Sequence, residues 1–249
     1  MTPKKKNLTV SRAFLNVFLM IVALAWLFPL LWALFNSFRD YSYTSQHGYF
    51  SFGGFTLDNF VNAWEQGGFT QSFLNSLIIT ALAVLFTLAL SSCMAFVLAR
   101  FSFKFNLAML AFFVAANLLP PQSLLVPVYR MFMWIPIPEF LSASGSLLDT
   151  HLGVIIVNTA FQTGFCTFVL ANYMKAIPAE IYEAADVDGA SVWSQFWTLT
   201  IPLCRTPLAA LATLQTAWIY NEFFWATVLL QKGDKFPVTS SLNNLKGSF

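Results

Sequence analysis

The residues best placed to do chemistry lie in one polar, acid-rich stretch between strongly apolar segments: Glu180-Ile-Tyr-Glu183-Ala184-Ala185-Asp186-Val-Asp188-Gly189-Ala190-Ser191, closing at Ile201-Pro202-Leu203. Pro178 suits the first turn of a helix, where no backbone N–H is needed. Glu180 and Glu183 then fall in the early turns and favour the positive end of the helix dipole. Ala184 and Ala185 add helix propensity and keep the surface low, so that a partner can approach the backbone. Gly189 is the natural stop, since it adopts the left-handed cap conformation that other residues resist. Ser191 can cap a second short helix whose Trp193, Phe196 and Trp197 point to an apolar face. A helix–turn–helix of this kind lies along a membrane surface and fits a groove on a soluble partner. The plainer reading is an amphipathic surface loop, which accounts for the tryptophans but not for the Ala-Ala and Asp-Gly pattern.

Other chemistry is missing from the sequence. His47 and His151 are far apart and share no metal-ligand or triad spacing. Cys93, Cys166 and Cys204 are scattered, and the first two lie in apolar runs, as small hydrophobes in helices do. No catalytic set and no metal site is expected. No glycine loop of the GxxxxGK type is present, so ATP hydrolysis by that route belongs to another polypeptide.

The elements that must carry the loop follow from composition. The chain is 57% hydrophobic and 10% charged, with a mean hydropathy of +0.66, whereas soluble domains carry roughly a quarter charged residues. This is a protein of the bilayer, and its net charge of +2 is too small to imply nucleic acid. The fold class expected is all-α, a bundle of transmembrane helices. Five runs are long enough to span: 14–36, 72–99, 107–131, 151–174 and 207–230. They divide the chain into an N-terminal segment 1–13, a first transmembrane helix, a segment 37–71 on the far side, and a core 72–249 containing the polar loop 175–205. The first run is too long for a signal peptide and lacks a small-residue cleavage site, so it stays as an anchor. Pro29 and the Pro120-Pro121 pair introduce kinks that neighbouring helices or water can relieve.

Basic residues set the orientation. With the N-terminus inside, Lys4, Lys5, Lys6, Arg12, Arg100, Lys104, Lys175 and Arg205 face the cytoplasm, while Arg39, Arg130, Lys232, Lys235 and Lys246 lie outside. The polar loop is then cytoplasmic. Five spans would leave the C-terminus outside.

Polar residues inside apolar runs are costly and tend to face the bundle interior. Asn221 and Glu222 sit together in the fifth run beside Trp218, Tyr220 and Trp225. Two readings stand: polar groups lining a solute route, or ties between helices with the aromatics as packing. Asn117 and Gln122 bracket the proline pair, placed either to face the same route or to relieve the kink. Asn158 and Gln162 share a helix face at i and i+4 and read as helix–helix ties.

The polar loop closely resembles the EAA loop of permease subunits in binding-protein-dependent ABC importers. The places that match are Glu183, Ala184, Ala185, Asp188, Gly189, Ala190 and Pro202. Within that family the sequence is most similar to the carbohydrate branch, in particular the smaller permease subunit of maltose-type transporters. Residues 96–103 (FVLARFSF), Ala176-Ile177-Pro178 and the run from Trp218 to Trp225 carry that likeness. The resemblance implies six spans, so a chain ending at Phe249 is expected to lack its last helix. It implies a coupling role for the loop and an alternating-access cycle. The expected partners are a second, similar permease, a dimer of ATPase subunits holding ATP and Mg, and an extracytoplasmic solute-binding protein. The expected location is a bacterial or archaeal cytoplasmic (inner) membrane. The solute implied is a sugar or oligosaccharide, for which hydrogen-bonding groups beside aromatic faces are suited. Another small polar solute is the nearest alternative. A motor-independent channel or secondary transporter would leave the loop unexplained, and a membrane-embedded enzyme would need a catalytic cluster that the sequence does not offer.

Overall fold

The structure is a computed structural model that describes residues 5–142 and 145–245. It divides into two compact units, Met1–Gln66 and Gly67–Phe249.

The first unit opens with α1 (Lys5–Ser37), whose stretch Arg12–Ser37 is long and apolar enough to cross a membrane and has none of its best window buried. Two short helices follow, α2 (Tyr41–His47) and α3 (Asp58–Gln66). Asp40 caps α2 by accepting a hydrogen bond from the Tyr43 N–H at 3.0 Å. Between α2 and α3 the chain folds back on itself, with an antiparallel bridge pairing Arg39 and Phe55.

The second unit is built on α4 (Phe69–Arg100) and α7 (His151–Lys175), both of spanning length. The buried positions of α4 include Ser72, Ser76, Thr80, Ala83, Thr87, Ser91 and Ala95, a nearly unbroken row of small side chains three or four residues apart. The side of α7 that packs against other elements also carries glycine, Gly153 against Phe132 and Gly164 against Phe113 and Asn117. Small residues let backbones approach closely, which is how helices associate where lipid removes the hydrophobic drive. Contact is close enough for the Ser91 hydroxyl to donate to the Thr163 carbonyl of α7 at 3.2 Å.

The third apolar run is not one straight span. Helix α5 (Asn106–Asn117) ends before Pro120, a 3-10 turn covers Pro121–Leu124, and α6 (Leu125–Trp134) leaves at 93° to the first half. Neither proline has an N–H to continue the ladder. The end of α5 tightens instead, with the Leu118 and Leu119 N–H groups returning to Ala115 and Ala116.

After the polar loop, α11 (Arg205–Tyr220) and α12 (Phe224–Leu229) occupy the expected fifth run. That run too departs from the expectation of a continuous helix, because it breaks at 221–223. A 3-10 turn (Gly233–Lys235) then leads to a short helix, α13 (Val238–Leu245).

The connection before α13 is tied to both long helices. Asn75 of α4 donates to the Asp234 and Phe236 carbonyls at 2.8 and 3.1 Å, and the Ser76 hydroxyl accepts from the Val238 N–H at 2.9 Å. At the start of α7, the Asp149 carboxylate accepts from Lys235 Nζ at 2.8 Å and from the Gln231 and Lys232 N–H groups at 2.8 and 3.2 Å. Burial raises the Asp149 pKa, but these three donors outweigh it and leave it below the ordinary carboxylate value.

Gly164 tests the packing of α5 on α7. A Cβ there would stand 2.7 Å from Asn117 Nδ2 and 3.0 Å from the Phe113 carbonyl, a backbone atom that cannot turn aside. Gly164→Leu is expected to force the helices apart at a cost of about 1–3 kcal/mol. The purified complex should melt several degrees lower, with Gly164→Ala falling between the variant and the wild type.

Candidate functional site

The polar loop folds as two helical pieces joined by a turn at Gly189. Helix α8 (Ala179–Val187) starts after Pro178, which stands at the N-cap and not inside the first turn. It ends in a glycine cap: Gly189 has φ +74°, its N–H returns to Asp186, and the Ala190 N–H returns to Ala185 at 2.9 Å. Nothing lies near the place of a Gly189 side chain, so the backbone conformation alone calls for glycine.

Ser191 accepts from the Ser194 N–H at 3.2 Å and starts α9 (Val192–Ser194). That helix widens into a π-helical stretch (Gln195–Thr200) and closes as α10 (Ile201–Leu203), with Pro202 in it and half-buried. Thr198 and Thr200 turn their hydroxyls back to the Ser194 and Gln195 carbonyls at 2.7 and 3.2 Å. Their hydrogen bonds help satisfy backbone groups where the wider turn alters the ladder.

One face of this element is anchored to the bundle. Phe196 is buried with its ring 5.3 Å from that of Phe96 on α4. Tyr182 is buried and shares a 2.9 Å hydrogen bond with Thr200. Burial pushes its phenol above the ordinary value, so it remains protonated at neutral pH. Arg100, the last residue of α4, places its guanidinium 5.0 Å from the Tyr182 ring centre and 2.6 Å from the Asp186 carboxylate. The other oxygen of that carboxylate accepts from the side-chain amide of buried Gln195 at 2.7 Å, and the same amide reaches the Ala190 carbonyl at 3.0 Å. Asp186 thus holds α4, α8 and the π-helical stretch together.

The opposite face is open. Glu183, Ala184, Asp188 and Gly189 are exposed, as are Val187, Trp193 and Trp197. Ala185 is not on that face: it is buried, because it lies three residues beyond Tyr182 on the inner side of α8. Ala190 is half-buried. Trp193 and Trp197 likewise part from Phe196, which alone of the three turns inward.

A second site lies within the bundle. A cavity of about 400 Å³ is lined by groups from α5, the 3-10 turn after the proline pair, α7, α11 and α12. It brings together Asn117, Gln122, Glu222 and Trp225 of the residues singled out in the sequence. Asn221 and Tyr220 are not part of it. Asn221 is exposed and donates to the Ala217 carbonyl of its own helix at 2.7 Å, and Tyr220 borders a separate space of only about 10 Å³.

Trp218, noted in the sequence beside Asn221 and Glu222, also lines the cavity, and so do Asn158, Gln162, Phe161 and Phe165, which the sequence did not assign to it. The i, i+4 spacing of Asn158 and Gln162 was visible, but it does not make the helix ties expected of it. Asn158 donates to Val154 on its own helix at 2.9 Å, and the Gln162 carbonyl oxygen is buried with no hydrogen-bond partner among the described residues. The aromatic rings stand in pairs, Phe161 with Trp225 at 5.4 Å and Phe165 with Trp218 at 5.7 Å.

Glu222 has a role that sequence reasoning did not anticipate. Its carboxylate accepts from the Trp225 and Ala226 N–H groups at 2.6 and 3.1 Å, and so caps the start of α12. Thr239 of α13 in turn donates to the Glu222 carbonyl at 2.9 Å, linking the cavity wall to the last described helix.

The fold is an all-helical membrane bundle with one anchored polar loop and a cavity open to its surface. Residues 90–248 match the family described as "Binding-protein-dependent transport system inner membrane component", and the chain belongs to that family: it is the permease of an ABC importer of this kind, a multi-pass inner-membrane protein. It is 31% identical to the "Probable ABC transporter permease protein" of Pyrococcus horikoshii over 94% of this chain and 82% of that protein. A diacetylchitobiose uptake system permease of Streptomyces coelicolor is 28% identical over 94% of this chain and 72% of that one. A melibiose/raffinose/stachyose import permease of Bacillus subtilis is 30% identical over 71% of this chain and 60% of that one. Among solved structures, a chain of a bacterial ABC transporter involved in alginate import has the same fold, with a TM-score of 0.78 and 21% identity over 98% of this chain and 82% of that chain.

The anchor of the loop makes a local prediction. Asp186→Ala removes an acceptor from buried Gln195 as well as the ion pair to Arg100. The ion pair is partly exposed and worth little, whereas the polar group left short of a partner costs about 1–3 kcal/mol. Amide hydrogen exchange across 178–203 should accelerate in Asp186→Ala, while the α4 and α7 amides keep their protection.

Proposed function

We propose that this permease carries a sugar or oligosaccharide through the cavity, and that its polar loop couples the movement to ATP hydrolysis in a separate subunit. The observation that carries the first part is the cavity: amide side chains stand beside paired aromatic rings. Amides supply donors and acceptors to hydroxyl groups, and ring faces stack on the apolar faces of a sugar. The names of the relatives point the same way, since diacetylchitobiose and melibiose or raffinose are the cargoes of two of them. A second reading, another small polar solute, is favoured by one observation. A permease for osmoprotective compounds from Synechocystis is 29% identical over 94% of this chain.

The coupling reading rests on the two faces of the loop. Its inner face is tied to the end of α4, and its outer face presents Glu183, Ala184, Asp188 and Gly189 with exposed Val187 and Trp193. An ATPase subunit that grips the outer face would therefore move α4 with it. In the cycle proposed, a second permease completes the route, ATP closes a dimer of ATPase subunits, and a solute-binding protein on the other side delivers the solute. The N-terminus is cytoplasmic, as the positions of the lysines and arginines favour. The segments 1–13, 37–71 and 175–205 then lie inside, outside and inside. Cysteine labelling should find position 188 reactive from the cytoplasm and position 56 from the opposite side; both on one side would refute the orientation.

The cavity is tested by Asn158→Leu combined with Gln162→Leu. Neither amide ties helices together, so complex yield after detergent extraction and basal ATPase activity should stay near wild type. Sugar uptake into proteoliposomes should fall by roughly tenfold, the loss of one to two hydrogen bonds to a bound solute. Loss of yield in step with uptake would instead assign the two residues to stability.

A further inference from the structure

We propose that the turn joining α2 to α3 in the first unit is a bilayer-seated anchor, with the rings of Phe50, Phe52 and Phe55 lying in the interfacial layer of the lipid. This goes beyond the transport function and does not depend on it. The ten residues 48–57 carry no acid, lysine, arginine or histidine, yet Phe50 is 79%, Phe52 80% and Phe55 56% exposed. An apolar surface of this kind in water calls for a cover.

The position of the rings says what the cover is. They are laid against the last turns of α1, with Phe50 stacked on Trp32 at 5.3 Å and both Phe52 and Phe55 against Phe35, at 6.2 and 6.1 Å. The stretch Arg12–Ser37 rises about 39 Å at 1.5 Å per residue. A hydrocarbon core is about 30 Å thick, so the helix ends reach the headgroup region. Trp32 and Phe35 lie about 7 Å and 3 Å short of Ser37 along that rise. That is the depth at which aromatic belts gather. The turn therefore continues the lipid-facing surface of a spanning helix.

The backbone of the turn is prepared for such a place. Few polar groups tolerate leaving water unless they are paired. Here buried Arg39 supplies the pairing: its guanidinium donates to the Gly53 and Tyr49 carbonyls at 3.1 and 2.9 Å, to the Gly48 carbonyl at 3.4 Å, and to the Ser51 and Asn36 side chains. All five of its N–H groups thereby have an acceptor. Gly53 and Gly54 let the backbone lie directly on the Tyr43 ring, where a Cβ at Gly54 would come within 2.5 Å of it. The result is a turn whose Gly48, Tyr49 and Gly53 carbonyls are gathered on Arg39 while Phe50, Phe52 and Phe55 face outward.

The test uses the full transporter complex in native membranes, with p-benzoylphenylalanine in place of Phe50 or Phe52, an enlarged ring on an already exposed site. After irradiation, mass spectrometry of the permease should find phospholipid adducts at both positions, roughly tenfold above those from the same probe at exposed Gln46 on α2. Adducts mainly to the second permease or to the binding protein would overturn the proposal in favour of a protein-docking face. Adducts no more frequent than at Gln46 would overturn it in favour of a solvent-exposed turn. Phe50→Ser with Phe52→Ser supplies an independent reading. It should leave the complex assembled yet raise the accessibility of position 55, as Phe55→Cys, to a membrane-impermeant thiol reagent; unchanged accessibility would count against burial in lipid.

Discussion

In a bilayer no hydrophobic force holds one apolar helix against another, so the permease unit depends on how closely α4 and α7 can approach. The row of serine, threonine and alanine along α4 removes the side-chain bulk that would otherwise separate the two backbones. Dispersion contacts and hydrogen bonds such as that from Ser91 to Thr163 then act at short range. Everything else in the unit is placed relative to this pair. Helix α5 packs on α7 at Gly164, the loop docks on the end of α4 at Phe96 and Arg100, and the segment leading to α13 is held by Asn75 and Ser76 at the other end.

That arrangement gives α4 two polar ends with different tasks. At one, Arg100 meets Asp186 and Tyr182 of the loop; at the other, Asn75 and Ser76 grip the chain just before Thr239, which holds the Glu222 carbonyl at the cavity. The physical path from an exposed loop face to the cavity wall is thus continuous, made of named contacts rather than of proximity alone.

The breaks in the apolar runs share a logic with these anchors. Pro120 and Pro121 end α5, and the 3-10 turn that follows carries Gln122 to the cavity; the break at 221–223 carries Glu222 there as the cap of α12. Irregular backbone within membrane depth is tolerated where it lines a cavity or is buried in protein. Around both breaks freed backbone groups find partners: the Leu118 and Leu119 N–H groups return to Ala115 and Ala116, and the Trp225 and Ala226 N–H groups donate to Glu222. The interruption costs little, and each places a polar side chain where a regular helix would have turned it elsewhere.

Much of this was legible in the amino-acid order. The apolar runs marked the helices, and the glycine cap at Gly189 with Ser191 beyond it marked the turn of the loop, because both signals depend only on residues close along the chain. The pattern Glu183-Ala184-Ala185 with Asp188-Gly189 indicated the family for the same reason. What the order did not disclose was decided by contacts between distant segments. Ala184 faces out and Ala185 in because Tyr182 has Phe96 and Thr200 to bury against, residues far from it in sequence. Glu222 stands at a helix start because the chain breaks beside it, and Asn158 and Gln162 line a cavity because the bent α5–α6 pair leaves space in front of them. The Arg39 scaffold was invisible for the same cause: its acceptors are backbone carbonyls, which every residue carries and no residue type announces.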